Sequence, residues 1–236
     1  MSKLVFLSGA GLSAPSGLST FRDNDGLWEQ YDLDIVCNYQ TWIKNFNLVH
    51  EFYNKRRLEL RKVKPNKMHE KIAEISKRFE IINFTQNVDD LLERAGCENV
   101  IHLHGKLLEL HCTNCNDITK LSLNDNLEFE FGNCKKCQSK LIKPSVVFFG
   151  EQAPFYTDLY STFYNLNEDD LVVIIGTSGA VININYLLRF AKSKNILINL
   201  EKNKYINEAL FSHIIYKSCD ECIDELDNII KIWNNK

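Results

Sequence analysis

Four cysteines form the most specific metal-binding pattern in the sequence. Cys112 and Cys115 make one C-x2-C pair, and Cys134 and Cys137 make a second, with eighteen residues between the pairs. Four thiolates suit a tetrahedral Zn²⁺ ion, and this spacing lets two sulfurs from one turn reach the same ion. Because protein ligands fill all four positions, none remains for water, and we expect a structural zinc. Two disulfides are the alternative interpretation.

The other four cysteines do not complete a second metal site. Cys219 and Cys222 also have C-x2-C spacing, but no second pair accompanies them. We interpret these two, together with Cys37 and Cys97, as ordinary thiols.

A glycine-rich segment follows the first apolar run of the chain. Gly9, Gly11 and Ala14 fit the pattern G-x-G-x-x-A, which follows a first strand in dinucleotide-binding proteins. The first glycine permits a tight turn, and the second lets backbone N–H groups approach a pyrophosphate. Further on, Phe21 could cover a bound cofactor, and Arg22 could offer its guanidinium to phosphate oxygens. A plain turn of small residues is the alternative.

A dinucleotide site also needs an acidic residue for the ribose. The usual position, about twenty residues after the glycine motif, is not clearly filled. Glu201, which ends a later apolar run, is the better candidate.

Histidine is the residue type best suited to proton transfer at neutral pH. His104 precedes Gly105 and lies shortly before the first cysteine pair. Its neutral imidazole could accept a proton, so His104 is a candidate general base. His102 and His111 are histidines nearby in the sequence and are therefore competing candidates for the base. A structural role is the alternative for His104.

The composition is that of a globular enzyme. The chain has 236 residues and a formal net charge of −3, so it lacks the strongly basic field that binds nucleic acid. Its first residues do not form a signal peptide, and no apolar run is long enough to span a membrane. With the paired cysteines, these features predict a cytoplasmic protein without a specific nucleic-acid or membrane partner.

Short apolar runs alternate with helical patterns along the chain. The expected strands are residues 4–7, 80–84, 171–175 and 196–200. The expected helices are residues 68–79, 88–95 with Gly96 as C-cap, 186–191, and 223–233 after an Asp220 cap. This order predicts an α/β fold with a Rossmann-like parallel sheet, in which ligands bind at the carboxyl ends of the strands.

Two stretches interrupt this alternation and predict an inserted small domain. Residues 24–64 are rich in aromatic and charged side chains and form a helical pattern, and residues 109–140 contain the cysteine pairs. We expect a helical insert and a four-cysteine zinc ribbon, respectively. The Rossmann-like domain would then comprise residues 1–23, 65–108 and 141–236.

Seven motifs, in this order, resemble those of the sirtuins, a family of NAD-dependent protein lysine deacylases. They are GAGLSAPSGLSTFR, TQNVD, HG, the paired C-x2-C, KPSVVFFGE, GTS and NLE. The resemblance covers essentially the whole chain. It implies NAD as co-substrate in a cleft between the two domains, and one structural Zn²⁺.

The resemblance also implies a role for each matching position. The glycine segment would hold the pyrophosphate, TQNVD the nicotinamide, and GTS and NLE the adenosine half. The expected cofactor-binding residues are Gly9, Ala10, Gly11, Ser13, Thr20, Phe21, Arg22, Trp28, Gln86, Asn87, Val88, Asp89, Gly176, Thr177, Ser178, Asn199, Leu200, Glu201 and Cys219. An extended acyl-lysine peptide would pair, by strand addition, with Val146, Phe148, Phe149, Gly150 and Glu151.

The implied reaction moves the acyl group of a lysine to ADP-ribose. Nicotinamide leaves the ribose carbon, the acyl oxygen attacks that carbon to form an alkylamidate, and His104 acts as general base on the ribose hydroxyls. The products would be lysine, nicotinamide and 2′-O-acyl-ADP-ribose. ADP-ribosyl transfer or NAD hydrolysis in the same cleft is one alternative, and an NAD-sensing binding module is another.

A tyrosine and an arginine indicate which acyl group is removed. Tyr53 and Arg56 are three residues apart and share a helical face, so they could together hold a carboxylate. The pair resembles that of the sirtuin subgroup that removes succinyl, malonyl or glutaryl groups, and acetyl removal can coexist with this activity. A basic helix face shared with Lys55, Arg57 and Arg61, in a deacetylase without acidic-acyl preference, is the alternative.

Three positions depart from the family pattern. Ser19 stands where proline is usual, Lys143 replaces a frequent arginine, and residues 183–185 replace a turn that contains proline. None of the three is the expected base or a nicotinamide contact.

Overall fold

The computed structural model describes residues 2–19, 31–124 and 132–235. Within these ranges the strands are β1 (Leu4–Ser8), β2 (Ile81–Thr85), β3 (Val100–His102), β4 (Gly105–Cys112), β5 (Ile118–Lys120), β6 (Ile142–Val146), β7 (Leu171–Ile175), β8 (Lys194–Asn199) and β9 (His213–Tyr216). The α-helices of the same ranges are α1 (Leu33–Val36), α2 (Phe46–Lys62), α3 (Lys67–Arg78), α4 (Leu91–Ala95), α5 (Tyr156–Tyr164), α6 (Ile184–Phe190) and α7 (Ile223–Asn234).

The larger sheet has six strands in the order β3-β2-β1-β7-β8-β9, and every neighbouring pair is parallel. The Rossmann-like prediction is therefore confirmed. The four expected strands are β1, β2, β7 and β8, each within one or two residues of its predicted bounds. The sequence analysis missed the two edge strands because β3 and β9 are short and only partly apolar.

Side chains from alternate strand positions form a hydrophobic core on each face of this sheet. One core packs against α3 and α7 and includes Leu4, Phe6, Val173, Ile196 and Ile198. The other packs against α5 and α6 and includes Val5, Leu7, Val172, Ile174 and Leu197. Because both faces are buried, the central strands are continuous apolar runs, which is the pattern that made them recognisable.

The smaller sheet is antiparallel and has the strand order β5-β4-β6. Its β4 begins at Gly105 and its β6 ends at Val146, so the sheet extends past both predicted limits of the zinc ribbon, 109 and 140. The helical insert packs on it through a core that includes Trp42, Phe52 and Leu107. The cysteine stretch has a separate small core of Leu110, Cys112, Cys134 and Ile142, and the expected division of the chain into two domains stays a prediction.

Helix ends agree with the sequence only in part. Gly96 adopts the left-handed conformation after α4, as expected of a C-cap glycine. The prediction that Asp220 caps the last helix is wrong, because α7 begins after Cys222. Asp220 instead accepts a hydrogen bond, at 3.2 Å, from the backbone N–H of Met68 at the start of α3. No helix among the described residues is long and apolar enough to cross a membrane.

Two buried histidines make the fold sensitive to acid. His50 of α2 lies 2.9 Å from the carbonyl oxygen of Ile142 in β6, through Nε2, and His69 lies in the first turn of α3. Burial lowers the pKa of each to about 4. Since the unfolded chain takes up these protons near the ordinary value of 6.5 and the folded chain does not, stability falls as the pH drops below 6.5.

We predict that each of these histidines costs the folded state about 2 kcal/mol between about pH 7.5 and about pH 5. Urea unfolding of wild type and His50→Gln at both pH values measures this. The loss of unfolding free energy should be smaller by about that amount in the variant, whereas His213→Gln, at an exposed position, should lose as much as wild type. Equal losses in wild type and His50→Gln would contradict the prediction.

Candidate active site

The turns after β1 and β7 touch at the carboxyl edge of the larger sheet. The backbone N–H of Gly9 donates to Ile175, at 2.9 Å, and that of Gly11 donates to Gly176, at 2.8 Å. Strand order reverses between β1 and β7, so this contact lies at the topological switch point, where Rossmann-like sheets bind ligands. The glycine motif is therefore part of a crossing between two turns.

Glycine is required at this crossing because no side chain fits. A Cβ atom on Gly9 would lie 2.7 Å from the carbonyl oxygen of Gly176, and one on Gly11 would lie 2.7 Å from the Cα of Gly176. Gly176 itself has a φ of +64° and faces the backbone of Leu12. The alternative of a plain small-residue turn is insufficient, because alanine is also small and would clash with backbone atoms.

The crossing uses two backbone N–H groups of the glycine motif. Those of Gly9 and Gly11 bond to the turn after β7. Ala10 begins a short 3-10 turn directly after Gly9. The approach of other backbone N–H groups of this loop to a pyrophosphate stays a prediction.

A chain of polar side chains joins the turns after β1 and β2. The amide nitrogen of Asn87 donates to the hydroxyl of Ser13, at 3.1 Å, and this hydroxyl donates to Asp89, at 2.9 Å. Burial raises the pKa of Asp89, whereas its hydrogen bonds with Leu91 and Ser13 lower it. Two non-adjacent motifs of the sequence thus form one hydrogen-bonded network.

Two residues that support this network were missed in the sequence. Asn66 caps α3 and donates its side-chain amide to the carbonyl of Leu12, at 2.7 Å. His69 accepts the backbone N–H of Asn66 at Nδ1, so its Nε2 carries the proton and faces the oxygen of Ser13, at 3.5 Å. The signal was the sequence Asn66-x-x-His69, a capping box with histidine in place of the usual Glu or Gln.

The remaining expected adenosine contacts gather beside the same edge. Thr177 accepts from the side chain of Gln86, at 3.0 Å, and its backbone carbonyl accepts from Asn199, at 2.9 Å. The thiol of Cys219, which the sequence presented as an ordinary thiol, lies 3.5 Å from the carbonyl of Gly11 and so contacts the glycine loop. Three further expected contacts are nearby in sequence: Val88 and Ser178, both partly exposed, and Leu200, which is exposed next to Glu201.

Four expected cofactor residues, Thr20, Phe21, Arg22 and Trp28, lie outside the described residues.

His104 lies beside this edge, in the short connection between β3 and β4. Its Nδ1 is 3.0 Å from the carbonyl oxygen of Gln86, and its Nε2 is 2.8 Å from the hydroxyl of Tyr156. Because a carbonyl only accepts, Nδ1 carries the proton of the neutral ring and Nε2 has the lone pair. Burial lowers the pKa of His104, while the hydrogen bond with Gln86 raises it. The ring is thus kept in the form that can accept a proton at Nε2.

The two competing histidines have other positions. His102 is buried, with Nδ1 2.9 Å from the carbonyl of Asn87 and Nε2 2.8 Å from Glu93, so it holds the backbone of the Asn87 turn. His111 lies on β4 in the small sheet, 3.3 Å from Asn116. Geometry therefore separates three histidines that composition alone could not.

The expected substrate segment lies next to His104, and a buried ion pair between Lys143 and Glu151 supports it. Val147 donates its N–H to the carbonyl of His104, at 2.9 Å. Lys143 is buried and lies 2.6 Å from Glu151, which also accepts the N–H of Phe148, at 2.7 Å. Burial lowers the pKa of Lys143, and the Glu151 carboxylate raises it. Lys143, which stands where the family pattern has a frequent arginine, thus forms a buried ion pair inside the chain.

Within this segment, buried and exposed side chains follow each other. Val146 and Phe148 are buried, whereas Phe149 and Gly150 are exposed. The N–H of Phe149 donates to Cys37 in the helical insert, at 2.7 Å. The segment is therefore held on one side by the insert and offers its exposed residues to the cleft.

Tyr53 and Arg56 lie under this segment and are both buried, at 2% and 9% exposure. The ring of Tyr53 stacks on Phe148 with centroids 5.8 Å apart, and its hydroxyl is 3.3 Å from the sulfur of Cys37. Burial lowers the pKa of Arg56, while nearby groups that include Asp89 raise it. Both side chains are therefore buried, which the alternative of a solvated basic helix face does not explain.

The four cysteines of the small sheet form one compact cluster. All four Sγ atoms lie within 4.8 Å of one another, and two of the separations are 3.6 Å and 3.7 Å. A tetrahedral ion with zinc–sulfur bonds of about 2.3 Å places its sulfurs about 3.8 Å apart. The cluster therefore fits one zinc, and all four cysteines are free thiols, which excludes the two-disulfide alternative in this structure.

Comparison with known proteins agrees with this geometry. The profile of the Sir2 family matches residues 9–183. An NAD-dependent protein deacylase of Helicobacter hepaticus is 47% identical, over 96% of this chain and 96% of its own length. A Sir2 homolog in complex with NAD superposes with a TM-score of 0.84 at 33% identity, over 98% of this chain and 90% of that one. A mutant Sir2 homologue in complex with 2′-O-acetyl ADP ribose superposes with a TM-score of 0.83 at 33% identity, over 97% and 92%.

We predict that Cys134→Ala abolishes zinc binding and lowers the melting temperature, because three thiolates no longer close the tetrahedron that joins the two C-x2-C turns. Elemental analysis of the purified protein should show the loss of one zinc ion per chain. Cys97→Ala, which removes a buried thiol outside the cluster, should keep the metal. Retention of zinc by Cys134→Ala would contradict the assignment.

Proposed function

The chain belongs to the Sir2 family and is an NAD-dependent protein deacylase, and from this premise we propose that it prefers lysine acyl groups that end in a carboxylate, such as succinyl and malonyl. The preference and the roles of individual residues are our inference. Removal of acetyl groups would coexist with this activity, because a smaller acyl group fits in a larger pocket.

The observation that carries the acyl preference is the burial of Arg56 beside Tyr53. A buried guanidinium is costly to charge, and the charges of Glu59, Tyr53 and Asp89 oppose that effect only in part, as the lowered pKa of Arg56 reflects. An incoming carboxylate would stabilise the charged form further. Arginine can make two parallel hydrogen bonds to one carboxylate, and we expect the Tyr53 hydroxyl to supply a third. The stacking of the Tyr53 ring on Phe148 supports this proposal, because it puts Tyr53 next to the segment that we expect to bind the peptide.

Binding of NAD would use the edge where the two turns cross. When bound, NAD supplies a ribose carbon that becomes electrophilic as nicotinamide leaves. Asn87 and Asp89 present an amide and a carboxylate that are already oriented through Ser13, which suits the amide of a nicotinamide ring. Pre-orientation of these groups lowers the cost of ordering them when the ligand arrives.

His104 would act as the general base of the reaction. Its Nε2 has the lone pair, and the Gln86 carbonyl holds the opposite nitrogen so that this lone pair points away from the sheet. A ribose hydroxyl within hydrogen-bond distance of Nε2 would give up its proton as the acyl group migrates. The lowered pKa of His104 keeps the ring neutral and ready for this step at neutral pH.

The peptide substrate would bind as an added strand along residues 146–151. Backbone hydrogen bonds of this kind demand little of the substrate sequence, so lysines in different proteins could be accepted. The ion pair of Lys143 with Glu151 would keep the receiving strand in place. A cytoplasmic location, expected from the sequence, remains a proposal.

ADP-ribosyl transfer by the same cleft is the second candidate. It would use the same cofactor residues but leave ADP-ribose on protein or in solution. The buried Tyr53 and Arg56 favour deacylation, because transfer of ADP-ribose has no need for a pocket that holds an acyl carboxylate.

We predict that kcat/KM falls on the acid side with a midpoint below pH 6.5, the ordinary histidine value, because burial lowers the pKa of His104. Protonation of Nε2 removes the base, so activity is lost as the pH falls through this pKa. A pH profile of acyl-ADP-ribose formation, compared with an NMR titration of the His104 ring, measures both quantities.

His104→Tyr is the matching variant, and it should abolish product formation while NAD still binds. Retained deacylation in His104→Tyr, or an acid midpoint above 6.5, would contradict the role of His104.

We predict that Arg56→Met lowers kcat/KM for a succinyl-lysine peptide by roughly 10- to 100-fold, the loss expected for a charged hydrogen bond. Turnover of the matching acetyl-lysine peptide should survive, because the acetyl group does not reach the guanidinium. Mass detection of acyl-ADP-ribose from both peptides gives the ratio.

Arg61→Met is the control for this comparison, because Arg61 is an exposed arginine on the same helix. It should leave the ratio of succinyl to acetyl turnover unchanged. An Arg56→Met variant with the wild-type ratio would reduce Tyr53 and Arg56 to structural residues and favour a general deacetylase.

A further inference from the structure

A tyrosine outside all the recognised motifs lies directly on the candidate base. Tyr156 is the first residue of α5, and its hydroxyl is 2.8 Å from Nε2 of His104. The opposite nitrogen, Nδ1, donates to the carbonyl of Gln86. Since a neutral imidazole has one N–H and one lone pair, Nε2 must accept and Tyr156 must donate.

The arrangement is exclusive because Nε2 has only one lone pair. While Tyr156 donates to it, no hydroxyl group of a substrate can give its proton to the same atom. Nδ1 offers no second route, since it carries the proton that bonds to Gln86. The Tyr156 hydroxyl thus occupies the place that a ribose hydroxyl needs.

We propose that Tyr156 is an internal competitor of the ribose hydroxyl, which bonds to His104 in the free enzyme and is displaced when the substrates fill the cleft. The proposal rests on the proposed role of His104 as general base. In the free enzyme, the tyrosine satisfies a partly buried acceptor and fixes the imidazole ring in the tautomer that the reaction uses.

The position of Tyr156 allows this displacement. The side chain is only partly buried and belongs to the first turn of α5, where the preceding Phe155 makes no side-chain capping bond. Residues 151–155 before it lie outside regular helices and strands. The exposed ring of Tyr160 lies beside Tyr156, with ring centroids 6.2 Å apart. A Tyr156 side chain that rotates away from His104 could therefore pack against this ring.

Loss of the Tyr156 hydroxyl has two consequences for His104. The ribose hydroxyl no longer has to displace it, so the base step becomes easier. At the same time the neutral form of His104 loses a hydrogen-bond donor, so its pKa rises. Among the described residues, the groups that face His104 are the Gln86 carbonyl, at Nδ1, and the Tyr156 hydroxyl, at Nε2. Tyr160 lies beyond Tyr156 on α5. Burial lowers the pKa of His104, and the hydrogen bond with Gln86 raises it.

The first measurement uses the free protein and needs no NAD. Nitrogen-15 NMR of the histidine rings, with His104 assigned through His104→Gln, reports the tautomer and the pKa of His104. We expect the Nδ1-protonated ring in wild type and, in Tyr156→Phe, a higher pKa. An unchanged pKa in Tyr156→Phe would overturn the proposal at the level of the contact itself.

The second measurement compares two fates of cleaved NAD. Labelled nicotinamide that returns to NAD reports reversal, and acyl-ADP-ribose reports passage through the step that needs Nε2. We expect Tyr156→Phe to raise the ratio of product to exchange by roughly two- to tenfold, the effect of one hydrogen bond that no longer has to be broken. Tyr160→Phe, one turn further along α5, keeps its ring and should have the wild-type ratio.

The other outcomes of the second measurement contradict either the competitor role of Tyr156 or the activity on which it rests. Product with an unchanged ratio in Tyr156→Phe would overturn the competitor role alone, and a lower ratio would mean that the hydroxyl assists the base. Absence of acyl-ADP-ribose from wild type would overturn the proposed role of His104 as general base, and the competitor role with it, even if the NMR contact is present.

Discussion

The active site depends on the close contact of two turns at the switch point of the larger sheet. Gly9 and Gly11 after β1 pack on Gly176 after β7 so closely that a single added Cβ atom would meet backbone. The contact is stabilised by two backbone hydrogen bonds, both donated by the turn after β1, from Gly9 to Ile175 and from Gly11 to Gly176. The constraint brings the ends of four strands, and the polar residues that follow them, to one edge.

The smaller sheet transmits a second constraint to the same edge. Gly105 directly follows His104 and pairs with Val146, at a φ of +83° that favours glycine, and a side chain there would overlap the carbonyl of Ser145. The proposed base, His104, and the start of the proposed substrate segment are therefore joined by one strand pair. The cysteine cluster lies at the far end of β4, where a zinc ion would close the sheet. The cluster and the proposed base thus lie at opposite ends of the same strand.

Buried charge distinguishes the acyl side of the cleft from the cofactor side. Arg56 and Lys143 are both buried cations, and burial lowers the pKa of each. Lys143 has a carboxylate within the chain, Glu151, and thereby stabilises the strand that contains Phe148. The charge of Glu59 opposes the effect of burial on Arg56, for which we propose a substrate carboxylate as a further partner. Two cations at similar depth therefore have different predicted uses, one in holding the protein strand and one in choosing the ligand.

The sequence by itself determined the parallel sheet, the zinc cluster and the order of the cofactor motifs, because these depend on local signals: apolar runs, C-x2-C spacing and glycine turns. Among His102, His104 and His111 the sequence favoured His104 only through the resemblance of the HG motif, because the contacts of each ring depend on how β3 and β4 pack. The supporting roles of His69 and Cys219, and the contact of Tyr156 with His104, join residues from 52 to 208 positions apart. Only the tertiary structure decides such contacts, because the chain must first close those distances before the side chains can meet.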